Sequence, residues 1–220
     1  LEEGGFRKIE IGHGLGLGAS TPAHGVAAAT DEEYLDAAAS VLVRAKFGAF
    51  FIPGIAGHPH LKLAGKYGMS FVRIGTDVNK TEQAEPFIKH AKDLGMEVSC
   101  NLMKSYAIPI GQVLRRAERL VGWGADIIAI VDSAGGMLPA QVEGMVRRLR
   151  REVGAGIGFH GHDNTQLAIA NTLAAVDAGA SVVDTTLRGM GRSAGNAQTE
   201  VVVMLLHRRG MDLGIDPYRV

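Results

Sequence analysis

The chain is dominated by a regular alternation of short β-rich runs with longer helical stretches. Seven runs have the composition of buried strands: FRKIEIG, AFFIPG, SFVRIGT, EVSCNLM, DIIAIVD, GIGFHG and SVVDTTL. The helical stretches between them include DEEYLDAAASVLVRA, TEQAEPFIKHAKDLG, IGQVLRRAERLVGWG, PAQVEGMVRRLRREVG and TQLAIANTLAAVDAG. Strands that alternate with amphipathic helices are typical of parallel βαβ units, so the pattern predicts an α/β fold.

Two α/β architectures fit this alternation, an open doubly wound sheet and a closed barrel. A doubly wound fold usually carries an early glycine fingerprint that opens a helix, but a polar stretch separates GHGLGLGAS from the next helix. The opening LEEGG has the pattern of a helix end with a glycine stop, so we expect residues before Leu1. The prediction is a (β/α)8 TIM barrel without its first strand–helix unit, forming one domain over residues 1–220 that is truncated at both ends.

The overall composition narrows the possible functions. A chain of 220 residues that is 46% apolar, with no net charge, suits one globular domain and gives no sign of disorder or nucleic-acid binding. The single Cys100 cannot form an internal disulfide, which favours the reducing cytoplasm. No apolar stretch approaches the ~20 residues of a membrane span, and no signal peptide is visible.

Polar side chains gather where the predicted strands end, which is where TIM barrels place catalytic residues. The candidates are Glu10, His13, His58, His60, Thr76, Asp77, Lys104, Tyr106, Asp132, Ser133, His160, His162, Asp163, Asp184, Arg188, Arg192 and Asn196. His58 and His60 flank Pro59 at a helix start and have the pattern of ordinary loop residues. His13 is a candidate to face the substrate.

The sequence GFHGHDN contains the strongest chemical signal. Side chains two residues apart on a strand point to the same face, so His160 and His162 can bind one metal ion. Two imidazoles suit zinc, manganese, iron or nickel, and added oxygen ligands favour manganese or magnesium. The alternative is one hydrogen-bonded core histidine and one solvent-facing loop histidine.

Two charged residues raise further possibilities. Lys104 at a strand end could form a Schiff base with a carbonyl substrate, or could simply remain solvated or paired with a carboxylate. Glu10 lies between Ile9 and Ile11, so its carboxylate is expected to point into the barrel and to need a partner. An arginine on the missing first strand is the expected partner, either as an interior salt bridge or as part of the site.

The stretch FHGHDNTQLAIANTLAAVDAGASVVDTTLRGMGRSAGNAQTE resembles the metal-dependent lyase barrels that include HMG-CoA lyase and isopropylmalate synthase. Within that group, the chain is most similar to the 4-hydroxy-2-oxovalerate aldolases. The segments IEIGHGLGLGAS, TDEEYLDAA, FIPGIAG, VRIGT, NLMKSYAIP and VDSAGGM follow in the expected order. The resemblance therefore covers essentially the whole chain.

The resemblance implies roles for individual residues. His160 and His162 would be metal ligands, and Asn196 would lie beside the metal or bind it. Ser133 would border the pyruvyl group, and Glu10 would steady an arginine on the first strand, where a metal-binding aspartate is also expected.

The chain also departs from the aldolase pattern. Lys104 and Tyr106 stand where the most similar aldolases carry uncharged and histidine-type residues, which affects the expected aldehyde specificity. Arg192 adds a cation near the substrate, which suggests a second substrate carboxylate.

The implied activity is that of a class II pyruvate aldolase that uses Mn²⁺, with Mg²⁺ or Co²⁺ as alternatives, to cleave a 4-hydroxy-2-oxo acid to pyruvate and an aldehyde. The alternatives are a Claisen-type acyl-CoA lyase or acyltransferase of the same group and a catalytically silent scaffold barrel. The implied partners are a small 2-oxo acid and an acylating aldehyde dehydrogenase, in a homo-oligomer or hetero-oligomer, with no nucleic acid or membrane.

Overall fold

The structure is a computed structural model that describes residues 1–220. Seven parallel strands form one sheet in sequence order, from β1 to β7. The strands are β1 Lys8–Glu10, β2 Lys46–Phe51, β3 Phe71–Asp77, β4 Glu97–Met103, β5 Ile127–Asp132, β6 Gly156–Gly161 and β7 Val182–Asp184. The helices are α1 Asp31–Val41, α2 His58–Lys66, α3 Glu85–Asp93, α4 Ile110–Gly122, α5 Pro139–Glu152, α6 Ala168–Asp177 and α7 Thr199–Arg208.

The sheet curls into a barrel that is open between its first and last strands. No backbone pairing joins β7 to β1, yet one side chain of β3 reaches both edges. Arg73 binds Glu10 of β1 and Asp184 of β7 at the same time. The predicted α/β barrel architecture is therefore confirmed, with each of the seven strands overlapping the run of the sequence that predicted it.

The two faces of β3 show how the barrel is filled. Val72 and Ile74 point outward into the main core between the sheet and the helices. The alternate positions point inward, where the ring of Phe50 lies so close to Gly75 that a Cβ there would meet the ring at 2.3 Å. The interior is thus packed by aromatic rings at its middle and leaves polar side chains toward its ends.

The helix-end pattern predicted at LEEGG is present: the N–H groups of Gly5 and Phe6 donate to the carbonyls of Glu2 and Leu1 at 3.0 and 3.2 Å, and Gly5 has a φ of +102°. Residues 2–5 form a turn, and the Glu2 carboxylate accepts hydrogen bonds from the backbone N–H groups of Val43, Arg44 and Ala45 at 3.0, 2.6 and 2.6 Å. Because Glu2 binds these N–H groups, α1 ends at Val41 and does not continue to Ala45 as the apolar pattern suggested. None of the helices combines the length and hydrophobicity needed to cross a membrane.

We predict that Cys100 is unreactive in the folded protein. Its side chain on β4 is 2% exposed, and burial raises the pKa of the thiol. Since the thiolate is the reactive form, a thiol reagent such as DTNB should label Cys100 only after unfolding in guanidinium. Stoichiometric labelling of the native protein within the mixing time would contradict this packing of β4.

Candidate metal centre

The two histidines of GFHGHDN lie side by side at the C-terminal end of the barrel. His160 is on β6 and His162 follows the strand directly. Their ring centroids are 5.1 Å apart and the rings are inclined at 76°. Both rings are half-buried, and both Nδ1 atoms are buried without a hydrogen-bond partner.

Asn196 joins this pair through the loop that follows β7. An isolated antiparallel bridge sets Asn196 opposite His162. The side-chain Nδ2 of Asn196 donates to the Met190 carbonyl at 3.0 Å, which leaves Oδ1 buried and unpartnered. A Cβ at Gly191 would lie 2.2 Å from that Nδ2, so glycine is required for the loop to close over the amide.

The residues present fit a divalent metal ion. Buried polar atoms usually have a partner, so the unpartnered His162 Nδ1 and Asn196 Oδ1 are unusual. Imidazole nitrogen and amide oxygen are both common metal ligands. Burial, together with the charges of His160 and Arg192, lowers the pKa of His162 and keeps the imidazole in its neutral, metal-binding form. No three His, Cys, Asp or Glu side chains lie close enough together to bind one metal ion. The ligands available in this chain are therefore two imidazoles and one amide.

Lys104, Asp77 and Ser133 form a second group at the ends of β3, β4 and β5. The Ser133 Oγ accepts a hydrogen bond from the Lys104 backbone N–H at 3.0 Å, which leaves the serine hydroxyl free to donate. The Lys104 Nζ lies 2.9 Å from an Asp77 carboxylate oxygen. Asp77 raises the pKa of Lys104 through this hydrogen bond and its charge.

We predict that Lys104 does not form a Schiff base. A Schiff-base lysine needs a lowered pKa, whereas Asp77 holds this ammonium in its charged form, and the side chain is 56% exposed. Treatment with pyruvate and borohydride should therefore add no mass to the peptide that contains Lys104. A stable pyruvyl adduct there, detected by mass spectrometry, would show that the amine acts as a nucleophile.

A layer of charges lies below the histidines inside the barrel. The Arg73 guanidinium binds Glu10 at 2.6 Å and also binds Asp184. Its carbon lies 5.2 Å from the centroid of the Phe50 ring, within the range of a cation–π contact. The expectation that an arginine outside the chain pairs with Glu10 is thus corrected, because Arg73 of β3 already does so. Sequence reasoning missed Arg73.

Three other predicted site residues lie in the loops and turns that follow the strands. His13 follows β1, and its Nδ1 accepts the Leu15 backbone N–H at 3.1 Å. Tyr106 lies in a short 3-10 turn and is 44% exposed. Arg192 is exposed and forms no ion pair, but its charge lowers the pKa of His162 and opposes the rise at Lys104.

Other strand-end candidates support loops. The Asp132 carboxylate accepts backbone N–H groups of the loop after β5, and the Asp163 carboxylate accepts the first N–H of α6. His60 accepts a backbone N–H at the start of α2. The Nδ1 of His58 lies 2.8 Å from that of His90 on the outer helices. His58 and His60 thus belong to the first turn of α2 and not to a free loop.

The sequence pattern of the HMGL-like family matches residues 1–220. The chain belongs to the HMGL-like family. It is 42% identical to the 4-hydroxy-2-oxovalerate aldolase of Carboxydothermus hydrogenoformans over 220 residues, which are all of this chain and 66% of that protein. The chain thus spans just under two thirds of that curated relative and of the others that follow it in similarity.

Two solved structures share the fold. The HMG-CoA lyase of Bacillus subtilis matches with a TM-score of 0.72 and 22% identity, over 84% of this chain and 70% of that one. The carboxyl transferase domain of Rhizobium etli pyruvate carboxylase matches with a TM-score of 0.78 and 21% identity, over 86% of this chain and 35% of that one. Identities this low establish the architecture alone.

Proposed function

We propose that the protein containing this chain is a divalent-metal-dependent aldolase that cleaves a 4-hydroxy-2-oxo acid to pyruvate and an aldehyde. The observation that carries the proposal is the convergence of His160, His162 and Asn196, with buried unpartnered polar atoms, at the C-terminal end of the barrel. The names of relatives about 40% identical over the whole chain support the same reaction.

A divalent ion at these residues would supply Lewis-acid polarisation of the 2-oxo group, which favours breakage of the neighbouring carbon–carbon bond. His160, His162 and Asn196 would hold it. Oxygen donors from substrate and amide favour Mn²⁺, with Mg²⁺ and Co²⁺ as alternatives. The family as a whole uses a divalent metal, and the choice of Mn²⁺ is part of the proposal.

The other residues would bind and orient the substrate. The Ser133 hydroxyl, fixed through its oxygen by Lys104, has its proton free to donate to the carboxylate of the pyruvyl part. Lys104 and Arg192 place positive charge at the mouth of the barrel, where they would attract the anionic substrate. His13 would face the substrate from the loop after β1, and Tyr106 would lie beside the part of the substrate that becomes the aldehyde. Glu10 would act indirectly, because its ion pair holds Arg73 in place beneath the histidine pair.

The proposed activity can be tested with metal-stripped protein. After EDTA treatment, pyruvate release from 4-hydroxy-2-oxovalerate, coupled to lactate dehydrogenase, should be absent, and Mn²⁺ should restore it. Thiol release from acetyl-CoA with a 2-oxo acid should stay at background. If thiol is released and pyruvate is not, a Claisen-type acyltransferase replaces the aldolase. If neither product forms with the full-length protein, the barrel acts as a scaffold.

The partner and location are further parts of the proposal. An acylating aldehyde dehydrogenase is the partner that would consume the aldehyde product, in an oligomer of one or both chains. The single unpaired cysteine favours the cytoplasm. A dehydrogenase that elutes unchanged in size-exclusion chromatography when mixed with this protein would contradict the partnership.

A further inference from the structure

Asp184 links the charged layer of the barrel to the histidine pair. It ends β7, where the sheet register sets it beside His160 of β6. Its Oδ2 accepts a hydrogen bond from Arg73, whose second nitrogen binds Glu10. The same Oδ2 lies 3.4 Å from Nδ1 of His160, which has no hydrogen-bond partner, and Asp184 is the only carboxylate that forms an ion-pair contact with this ring.

The surroundings of Asp184 favour a charged carboxylate. Arg73 donates to Oδ2, and the ring of His160 lies beside the same oxygen. The Nδ2 of Asn101 also faces Asp184; this residue is 1% exposed, and its Nδ2 forms no hydrogen bond within bonding geometry, to Asp184 or elsewhere. Donors thus surround Asp184, so its oxygens act as acceptors.

We propose that Asp184 is a positioning residue that fixes the tautomer of His160. The carboxylate accepts a hydrogen bond from Nδ1–H, so the proton stays on Nδ1 and the lone pair of Nε2 is free for the metal ion. A carboxylate that orients a metal-binding histidine through its second nitrogen is a recurrent arrangement in metal sites. The 3.4 Å contact is longer than a hydrogen bond, and such contacts in unliganded sites often tighten when the ligand binds. The inference rests on the proposed metal site.

The substitution Asp184→Leu tests this assignment because it removes the acceptor beside His160 and keeps a branched side chain. Asp184→Asn is the matched control. Arg73 has only donors, so the amide oxygen must face it, at the position of Oδ2, which is also the position beside Nδ1 of His160. The asparagine therefore keeps an acceptor for the Nδ1–H group, and the leucine does not.

Two readouts separate this role from a purely structural one. In the full-length metal-free protein, ¹⁵N NMR of the histidine rings should show the Nδ1–H tautomer for His160 in the wild type and in Asp184→Asn, but not in Asp184→Leu. Mn²⁺ affinity, measured by the EPR signal of free Mn²⁺, should fall about 10–100-fold in Asp184→Leu. Glu97→Gln is a second control, because Glu97 forms a partly exposed ion pair with Lys8 at the opposite end of the barrel. It should change neither readout.

The outcomes distinguish this inference from the proposed function. A wild-type protein with His160 as Nε2–H overturns the positioning role, even if Asp184→Leu does not fold. An unchanged tautomer and unchanged Mn²⁺ affinity in a folded Asp184→Leu variant also overturn it. If wild-type protein with the Nδ1–H tautomer binds Mn²⁺ but releases no pyruvate, the aldolase proposal fails and the positioning role stands.

Discussion

Replacing His162 with alanine should lower metal-dependent pyruvate release by at least about 100-fold, because residues that only support a ligand already contribute about 10–100-fold. The stability of the variant should change by only about 1 kcal/mol, the usual size for truncation of a half-buried side chain. His160→Ala should behave alike. The assay compares pyruvate release at saturating Mn²⁺ with thermal unfolding of the same preparations.

His207→Ala is the matched control for this prediction. His207 is exposed in the last turn of α7 and forms no side-chain hydrogen bond or ion pair, so its loss should leave activity unchanged. A His162→Ala variant with normal Mn²⁺-dependent turnover would show that the metal, if bound, lies elsewhere.

Replacing Arg73 with methionine should destabilise the protein by about 3–5 kcal/mol, the cost typical of removing one partner from a buried ion pair. Arg73 is 13% exposed, and its loss leaves Glu10 and Asp184 facing each other inside the barrel without a cation. Urea unfolding measures the change. Arg119→Ala removes the exposed Arg119–Glu82 pair and should cost less than about 1 kcal/mol.

The pH dependence of the Arg73→Met variant should be opposite to that of the wild type. In the wild type the pKa of Asp184 is lowered in the folded state, so this group stabilises the fold above its unfolded pKa of about 3.9 and the benefit disappears as pH falls through the folded value. Without Arg73, burial raises that pKa above its unfolded value. The deficit of the variant should therefore shrink as pH is lowered. An equal deficit at pH 7 and pH 4 would contradict the pairing.

The barrel could be predicted because its signal is local and periodic. Each β-rich run contains part or all of a strand, and EVSCNLM coincides with its strand, since alternation with helices leaves one packing solution. The adjacency of His160 and His162 also follows from a single strand. The end of α1 could not be predicted, because it depends on the Glu2 carboxylate more than 40 residues earlier in the chain.

The inward position of Arg73 could have been predicted from the same alternation pattern that was applied to Glu10. Arg73 lies between Val72 and Ile74, as Glu10 lies between Ile9 and Ile11, and a charged residue alternating with core residues must point into the barrel. The same pattern identifies Asn101 between Cys100 and Leu102. The pairing of Arg73 with both Glu10 and Asp184 could not be predicted, because it depends on the curl of the sheet. That curl is a property of all seven strands together.

The most direct test of the account is the position of the metal itself. Crystals of the full-length protein grown with Mn²⁺ should give a single strong anomalous peak between the rings of His160 and His162, beside the Asn196 amide. Active crystals in which Mn²⁺ binds at another place, with both imidazoles free of metal, would contradict the central claim.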